Sequence, residues 1–286
     1  ENRTLTTKEV NAEIEHVKKL LRVAVANGYE PGTEITNMLV NANFAEGFTG
    51  WKGALFTGSG ASPTEGSNMH AAEIWSADNR DMYQEIVAAK SGIYELQIRG
   101  GYRPYNTAMS DQLSPYIYMN DNANYLQNVK EGAIPAEEAE DGVNCNLTGG
   151  TNDLPILNEE GDTIAWAMHG VISLNKAFEA GRHDNRLVLL AEEGDTIRIG
   201  VKHTFFNGGQ NDWVGIGDIH LTYHGEMADS EEAIDRALES MLARAATLQN
   251  CEFKTDADYV RYPNWSQSIK DRLAASIAKA EGADVA

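Results

Sequence analysis

Between Ile35 and Glu226 the chain is a succession of short runs in which apolar and polar residues alternate, each cut off by Gly, Asn, Asp or Pro. Period-two alternation marks a strand with one buried face, and frequent turn residues join such strands into an antiparallel sandwich rather than a parallel sheet. The spacing predicts strands over 35–40, 52–56, 71–75, 82–87, 93–102, 115–119, 164–173, 186–191, 195–205 and 215–224. The fold class that follows is mainly β, an antiparallel β-sandwich. Its first corner runs from Ile35 through an Asn-Ala-Asn turn to Gly50-Trp51, with Phe44 and Trp51 as aromatic plugs for the end of the core. In its last strand Ile219, Leu221 and Tyr223 alternate with His220, Thr222 and His224. Glu-Glu-Gly-Asp-Thr-Ile occurs at 159–164 and again at 192–197, and each copy reads as a turn launching a strand. Residues 120–158, rich in Asn, Glu, Gly and Pro, read as a long loop or insertion.

Capped amphipathic helices bracket this core. Thr6 and Glu9 have capping-box spacing, Val10, Ile14, Val17, Leu21 and Ala24 recur at intervals of three and four, and Gly28 supplies a stop. Asp229 and Glu232 have the same capping spacing, followed by Ile234, Leu238, Met241, Ala245 and Leu248. A last helix is expected over 266–280, with Ile269, Leu273 and Ile277. Three units follow: an N-terminal helix (1–32), the sandwich (33–227) and a C-terminal helical segment (228–286). One apolar stripe is not stable alone, so the three are expected to bury one another as a small bundle.

Charge narrows the function. The formal net charge is −20, a field that repels phosphate backbones, and no Lys/Arg run offsets it, so nucleic acid is not an expected partner. Cys145 and Cys251 are too few for a disulfide framework and have no metal-ligand spacing; they are free or paired with each other. No stretch has the length of a membrane span. The chain begins at Glu1 rather than Met and is expected to be a processed or excised piece, with any export signal or lipid anchor upstream.

Catalytic motifs are missing: there is no phosphate-binding Gly loop, no His-Glu-x-x-His and no Gly-x-Ser-x-Gly. His220 and His224 share a strand face, read as solvated rather than metal-binding. Binding fits better, because sugars present apolar ring faces edged by hydroxyls and are met by flat aromatics beside Asn, Gln, Asp or Arg. Such groups crowd the predicted loops. A glycan site is therefore expected at one end of the sandwich, built from Trp75, Arg103, Tyr105, Phe206 and Asn211. It requires the loops after strands 71–75, 93–102 and 195–205 to share that end. Trp51, Trp213 and Trp166 are assigned to packing. The alternative is a structural spacer or protein-contact module that uses its helices and binds no sugar.

The segment Gly32-Thr-Glu-Ile-Thr-Asn-Met-Leu-Val-Asn-Ala-Asn-Phe44 with Gly50-Trp51 resembles the start of carbohydrate-binding-module-like jelly rolls with the galactose-binding-domain-like fold. The likeness continues in order through Asp81–Ile86, Gly92–Leu96, Gly101–Arg103, Phe178–Gly181 and Asn211–Tyr223. It is closest to modules in secreted and surface proteins of glycan-degrading gut bacteria. The resemblance implies a jelly roll, a carbohydrate ligand, an extracellular or cell-surface setting and no required cofactor. In related modules the first corner and the Asp of the last strand hold a structural calcium, which here points to Asn43, Glu46 and Asp218. The family's Glu after Phe is Ala45 in this chain, and the alternative is a turn closed by Asn side chains.

Overall fold

The computed structural model describes residues 6–26, 28–56, 70–75, 79–103, 115–138, 154–168, 170–203, 212–226, 230–250, 271 and 274–279. The elements begin with α1 (Thr7–Ala26), β1 (Thr33–Glu34), a 3-10 turn (Thr36–Met38), β2 (Lys52–Ala54), β3 (Ala71–Trp75), β4 (Arg80–Val87) and β5 (Gly92–Arg103). There follow β6 (Tyr116–Met119), β7 (Asn122–Tyr125), β8 (Gln127–Asn128), β9 (Ile134–Pro135), β10 (Leu154–Leu157) and β11 (Thr163–Ala167). The chain continues with α2 (Val171–Glu179), β12 (Asp184–Ala191), β13 (Thr196–His203), β14 (Trp213–Tyr223) and α3 (Glu231–Asn250).

The molecule is mainly β. One sheet has the order β1-β14-β5-β12, with β3 also on β14 and the short parallel β8 on β5. A second, wholly antiparallel sheet has the order β2-β4-β13-β6-β7, and a small third sheet has β10-β11-β9. The inward residues of the first two sheets form one cluster. Tyr94, Leu96 and Ile98 of β5, Ile219, Leu221 and Tyr223 of β14, Met82 and Ile86 of β4, and Ile197, Ile199 and Val201 of β13 meet there, all buried. Each such side chain contributes about 1.5–3 kcal/mol on leaving water. At the first corner Phe44 stacks on Trp51, centroids 5.2 Å apart, and both close the core as expected.

Three expectations change. Residues 35–40 do not continue as a strand: Leu221 N–H donates to Thr36 Oγ1 at 2.9 Å, so a side chain takes the ladder position and the backbone turns away into the 3-10 turn. Residues 164–173 are not one strand either. β11 ends at Ala167 and α2 begins at Val171, because Leu174, Ala177 and Phe178 repeat at helical spacing and pack with Val129, Met168 and Trp213. The Phe178–Gly181 turn is the C-terminal stop of α2: Gly181 (φ 74°) donates to Phe178 O and Arg182 to Ala177 O, each at 2.8 Å. The long loop expected over 120–158 contains β7, β8, β9 and β10, while 139–153 and both cysteines lie outside the described residues.

The glycines of β5 and β14 explain where α2 sits. A Cβ on Gly215 would stand 2.5 Å from Leu174 Cδ2, and one on Gly101 3.1 Å from Leu174 Cδ1. Strand glycines here admit a helix against the outer face of the sheet.

Thr6 and Glu9 form the expected capping box, with Glu9 N–H donating to Thr6 Oγ1 at 3.2 Å and Thr6 N–H to Glu9 Oε2 at 2.9 Å. The helical faces are used otherwise than a three-helix bundle requires. α3 lies on β12 and β7, burying Ala233 and Ala237 there. Val10, Ile14, Val17 and Leu20 of α1 are 40–55% exposed. Of 266–280, residues 274–279 are helical and Ile277 is buried. The expected Asp229 cap of α3 lies outside the described residues; next to it, the Ser230 hydroxyl donates to Glu226 O at 2.7 Å.

Candidate functional site

The strand register decides which loops share an end. Trp213, the first residue of β14, pairs with Trp75, the last of β3, on one side and with Arg103, the last of β5, on the other. In the facing sheet, His203 at the end of β13 pairs with Arg80 at the start of β4, and Lys202 with Tyr116 at the start of β6. Tyr102 joins the two sheets: its ring lies 5.7 Å from that of His203, and its hydroxyl donates to Asp212 Oδ2 at 3.0 Å. Three connections between the sheets, 76–79, 104–115 and 204–212, therefore have both roots at one end of the sandwich.

The roots are rigid and buried. Tyr102, Arg103, His203, Asp212 and Trp213 are each less than 6% exposed. Arg103 lies over the Trp213 ring, 5.8 Å from its centroid, and Trp213 Nε1 donates to Glu73 Oε2 at 2.9 Å. Burial pulls the Arg103 guanidinium down to about 10 against the nearby charge of Asp212. Burial likewise pulls His203 down to about 4, so its ring is neutral at physiological pH.

A tyrosine face, missed by the sequence reading, approaches the same end. On the outer side of the second sheet, Tyr83 and Tyr118 flank Gly200, and Tyr116 pairs with Tyr125 one row nearer the loops. The Tyr118 hydroxyl donates to Asp81 Oδ1 at 2.6 Å across the space over Gly200, where a Cβ would stand 2.6 Å from its ring. Burial and that bond push the Tyr118 phenol upward. Arg198 stacks on Tyr83, 3.4 Å from the ring centroid. The part of this signal legible in the sequence is the Tyr116-Ile-Tyr118 alternation.

The structure places the predicted site residues unevenly. Trp75 and Arg103 flank Trp213 at the shared end, whereas Tyr105, Phe206 and Asn211 lie outside the described residues, in segments rooted there. Arg103 is 4% exposed, so it braces the roots instead of offering an open donor. Its guanidinium lies over the Trp213 ring, 5.8 Å from the centroid.

The opposite face of the first sheet carries charge. His220 sits between Glu34 (2.9 Å) and Asp218 (2.8 Å), and Asp218 also faces Arg99 at 3.7 Å. Arg99 leads to Asp184 and Arg186, and Arg186 Nη1 donates to Glu95 Oε1 at 2.8 Å. Glu95 Oε2 pairs with His224 at 2.8 Å and with Arg236 of α3 at 3.3 Å. Both histidines are thus hydrogen-bonded to carboxylates rather than left to solvent. The hydrogen bond to Asp218, opposed by burial and aided by Glu34, carries His220 up to about 9. Burial would raise Glu95, but hydrogen bonds from His224, Arg186 and Arg236 bring it down to about 2.

Asn43 and Glu46 sit in the first corner. Asn43 Oδ1 accepts from Ala45 N–H at 3.1 Å, and Asn41 closes the turn by bonding Gly47 O at 2.8 Å and Glu46 N–H at 3.0 Å. Asp218, the third residue expected around a calcium ion, is engaged by His220 at 2.8 Å and faces Arg99 at 3.7 Å. Among the described residues no three His, Cys, Asp or Glu are placed to hold a metal, and no helix is long and apolar enough to cross a membrane.

No family model matches the chain, and no curated protein does. Solved structures do. TmCBM61, solved in complex with β-1,4-galactotriose, aligns with 65% of this chain and 97% of its own at 13% identity and TM-score 0.30. A family 16 carbohydrate-binding module aligns with 65% of this chain and 99% of its own, at 10% identity and TM-score 0.34. The CBM22-1 xylan-binding domain from Paenibacillus barcinonensis covers 69% of this chain and 99% of its own, at 9% identity and TM-score 0.32. The resemblance is to carbohydrate-binding modules. At these identities and TM-scores none of the three carries an inference about this chain's ligand.

Proposed function

We propose that this chain is a non-catalytic glycan-binding module of an exported or cell-surface protein, binding sugar at the end of the sandwich where the three cross-sheet loops are rooted. One observation carries the reading: Trp213 pairs with both Trp75 and Arg103, while Tyr102 reaches His203 of the facing sheet. The segments that bear Tyr105, Asn106, Phe206, Asn207, Gln210 and Asn211 then start and finish on one rigid platform, the arrangement by which loops build binding sites. Aromatic faces and amide donors together suit pyranose rings and their hydroxyls.

A glycan array followed by affinity gels tests this. Tyr105→Ala and Phe206→Ala are each expected to weaken retention by about 1–3 kcal/mol, with the melting temperature unchanged. Sugar retention indifferent to both variants and abolished by Tyr116→Ala would move the site to the tyrosine face. A chain that binds no glycan on the array would remove the sugar reading.

A second reading, protein contact through the helices, is favoured by the exposed apolar positions of α1.

A further inference from the structure

Among the surfaces of the described residues, α1 carries an apolar pattern whose first half is exposed. Val10, Ile14, Val17, Leu21 and Ala24 are spaced 4, 3, 4 and 3 residues apart, which is the d-a-d-a-d seam of a heptad repeat. Three of these, Val10, Ile14 and Val17, are 40–45% exposed, and Leu20 beside the seam is 55% exposed. A seam with this spacing matches a second helix of the same period, and it is continuous over the length of α1.

Charge selects the occupant. With Ile14 and Leu21 at a, Glu13 falls at g and Lys18 at e. In a parallel pair, g of one helix faces e of the next heptad in its partner, five positions on, so Glu13 of each copy meets Lys18 of the other, twice by symmetry. Antiparallel pairing sets g against g and e against e, which leaves Glu13 opposite Leu20 or Lys18 opposite Lys18. Within one chain Lys18 Nζ pairs with the exposed Glu15 at 2.8 Å, with side chains 57% and 66% exposed. Such a surface pair is weak enough to be exchanged.

We propose that α1 is a self-pairing helix that joins two copies of this chain in parallel. This deepens the protein-contact reading and is independent of sugar binding. The seam is short, so association is expected to be weak and concentration-dependent.

Sedimentation equilibrium over a range of chain concentrations is the test. The wild-type chain is expected to dimerise, Ile14→Asp to stay monomeric with an unchanged melting temperature, and Glu13→Lys and Lys18→Glu each to associate about tenfold more weakly. Mixing those two charge variants should restore the dimer. One chain then carries cations at both positions and the other anions at both, so each contact across the pair again joins opposite charges. A wild-type chain that is monomeric throughout overturns self-pairing, even if the helix binds another protein. A dimer insensitive to Ile14→Asp, or a mixture no stronger than either variant alone, also overturns it. Glycan retention by Ile14→Asp, measured alongside, shows whether the sugar reading stands or falls separately.

Discussion

Glu95 shows how far one side chain can govern its surroundings. It is 4% exposed, yet it serves Arg186, His224 and Arg236, which come from β12, the exit of β14 and α3. Replacing it with Gln keeps the volume and removes the charge that Arg186 and Arg236 face. Breaking a buried ion pair in this way is expected to cost about 3 kcal/mol, read as a fall in the denaturation midpoint. The pH dependence of stability follows from three groups. Glu95, at about 2 when folded against 4.5, supports the fold above about pH 4.5, and this support drains as pH falls towards 2. His203, held near 4 against 6.5, adds a loss between pH 6.5 and 4 as the unfolded chain takes up the proton. His220, at about 9, contributes fully below 6.5 and loses its contribution as pH rises through 9. Melting temperature plotted against pH should peak near 6.5; a curve still rising through pH 9 would contradict the Glu34–His220–Asp218 arrangement. None of these roles was legible in the sequence. His220 and His224 look solvated when only their own strand is read, because Glu34 and Glu95 lie 186 and 129 residues away and Asp218 alone is local. Arg103 looks available until Trp213 is laid over it by register.

At the scale of elements, the capping box at Thr6 and Glu9 and the strands around 71–75, 82–87, 93–102 and 186–191 were legible, since local periodicity and local hydrogen bonds define them. Failures came where a competing contact was nonlocal. The Thr36 hydroxyl ends β1 by bonding Leu221, and α2 hides in a run too short to separate helix from strand until its seat over Gly101 and Gly215 is known. The seat of α3 on the sheet was not legible for a related reason. Its apolar stripe suggested helical company, but the small Ala233 and Ala237 let it approach the sandwich, where Ser240 Oγ accepts from Asn124 Nδ2 at 2.9 Å. Ala237→Leu should lift the helix off β12. The expected cost is about 1–3 kcal/mol, with faster amide exchange confined to α3 and β12. Exchange unchanged in α3 would mean that the helix does not depend on that contact.

For the molecule as a whole, the sequence reading recovered the antiparallel strands; in the structure the first of them, β1, pairs with the last, β14. It left open whether three loops share an end, because that depends on which strands neighbour which, and alternation along one strand is silent about neighbours. The register answers it for the roots of the loops. The adjacency of β1 and β14 has a mechanical side. Thr33 pairs with Tyr223 in antiparallel register, Gly32 N–H donates to Tyr223 O at 2.8 Å, and Tyr29 packs on the Tyr223 ring, so entry and exit strands lie side by side. Tension drawn between the two helical flanks would load this clasp in the unzipping direction, one hydrogen bond at a time, before any of it reached β5. The module would part at its seam under modest pull while the sheets behind it stayed closed.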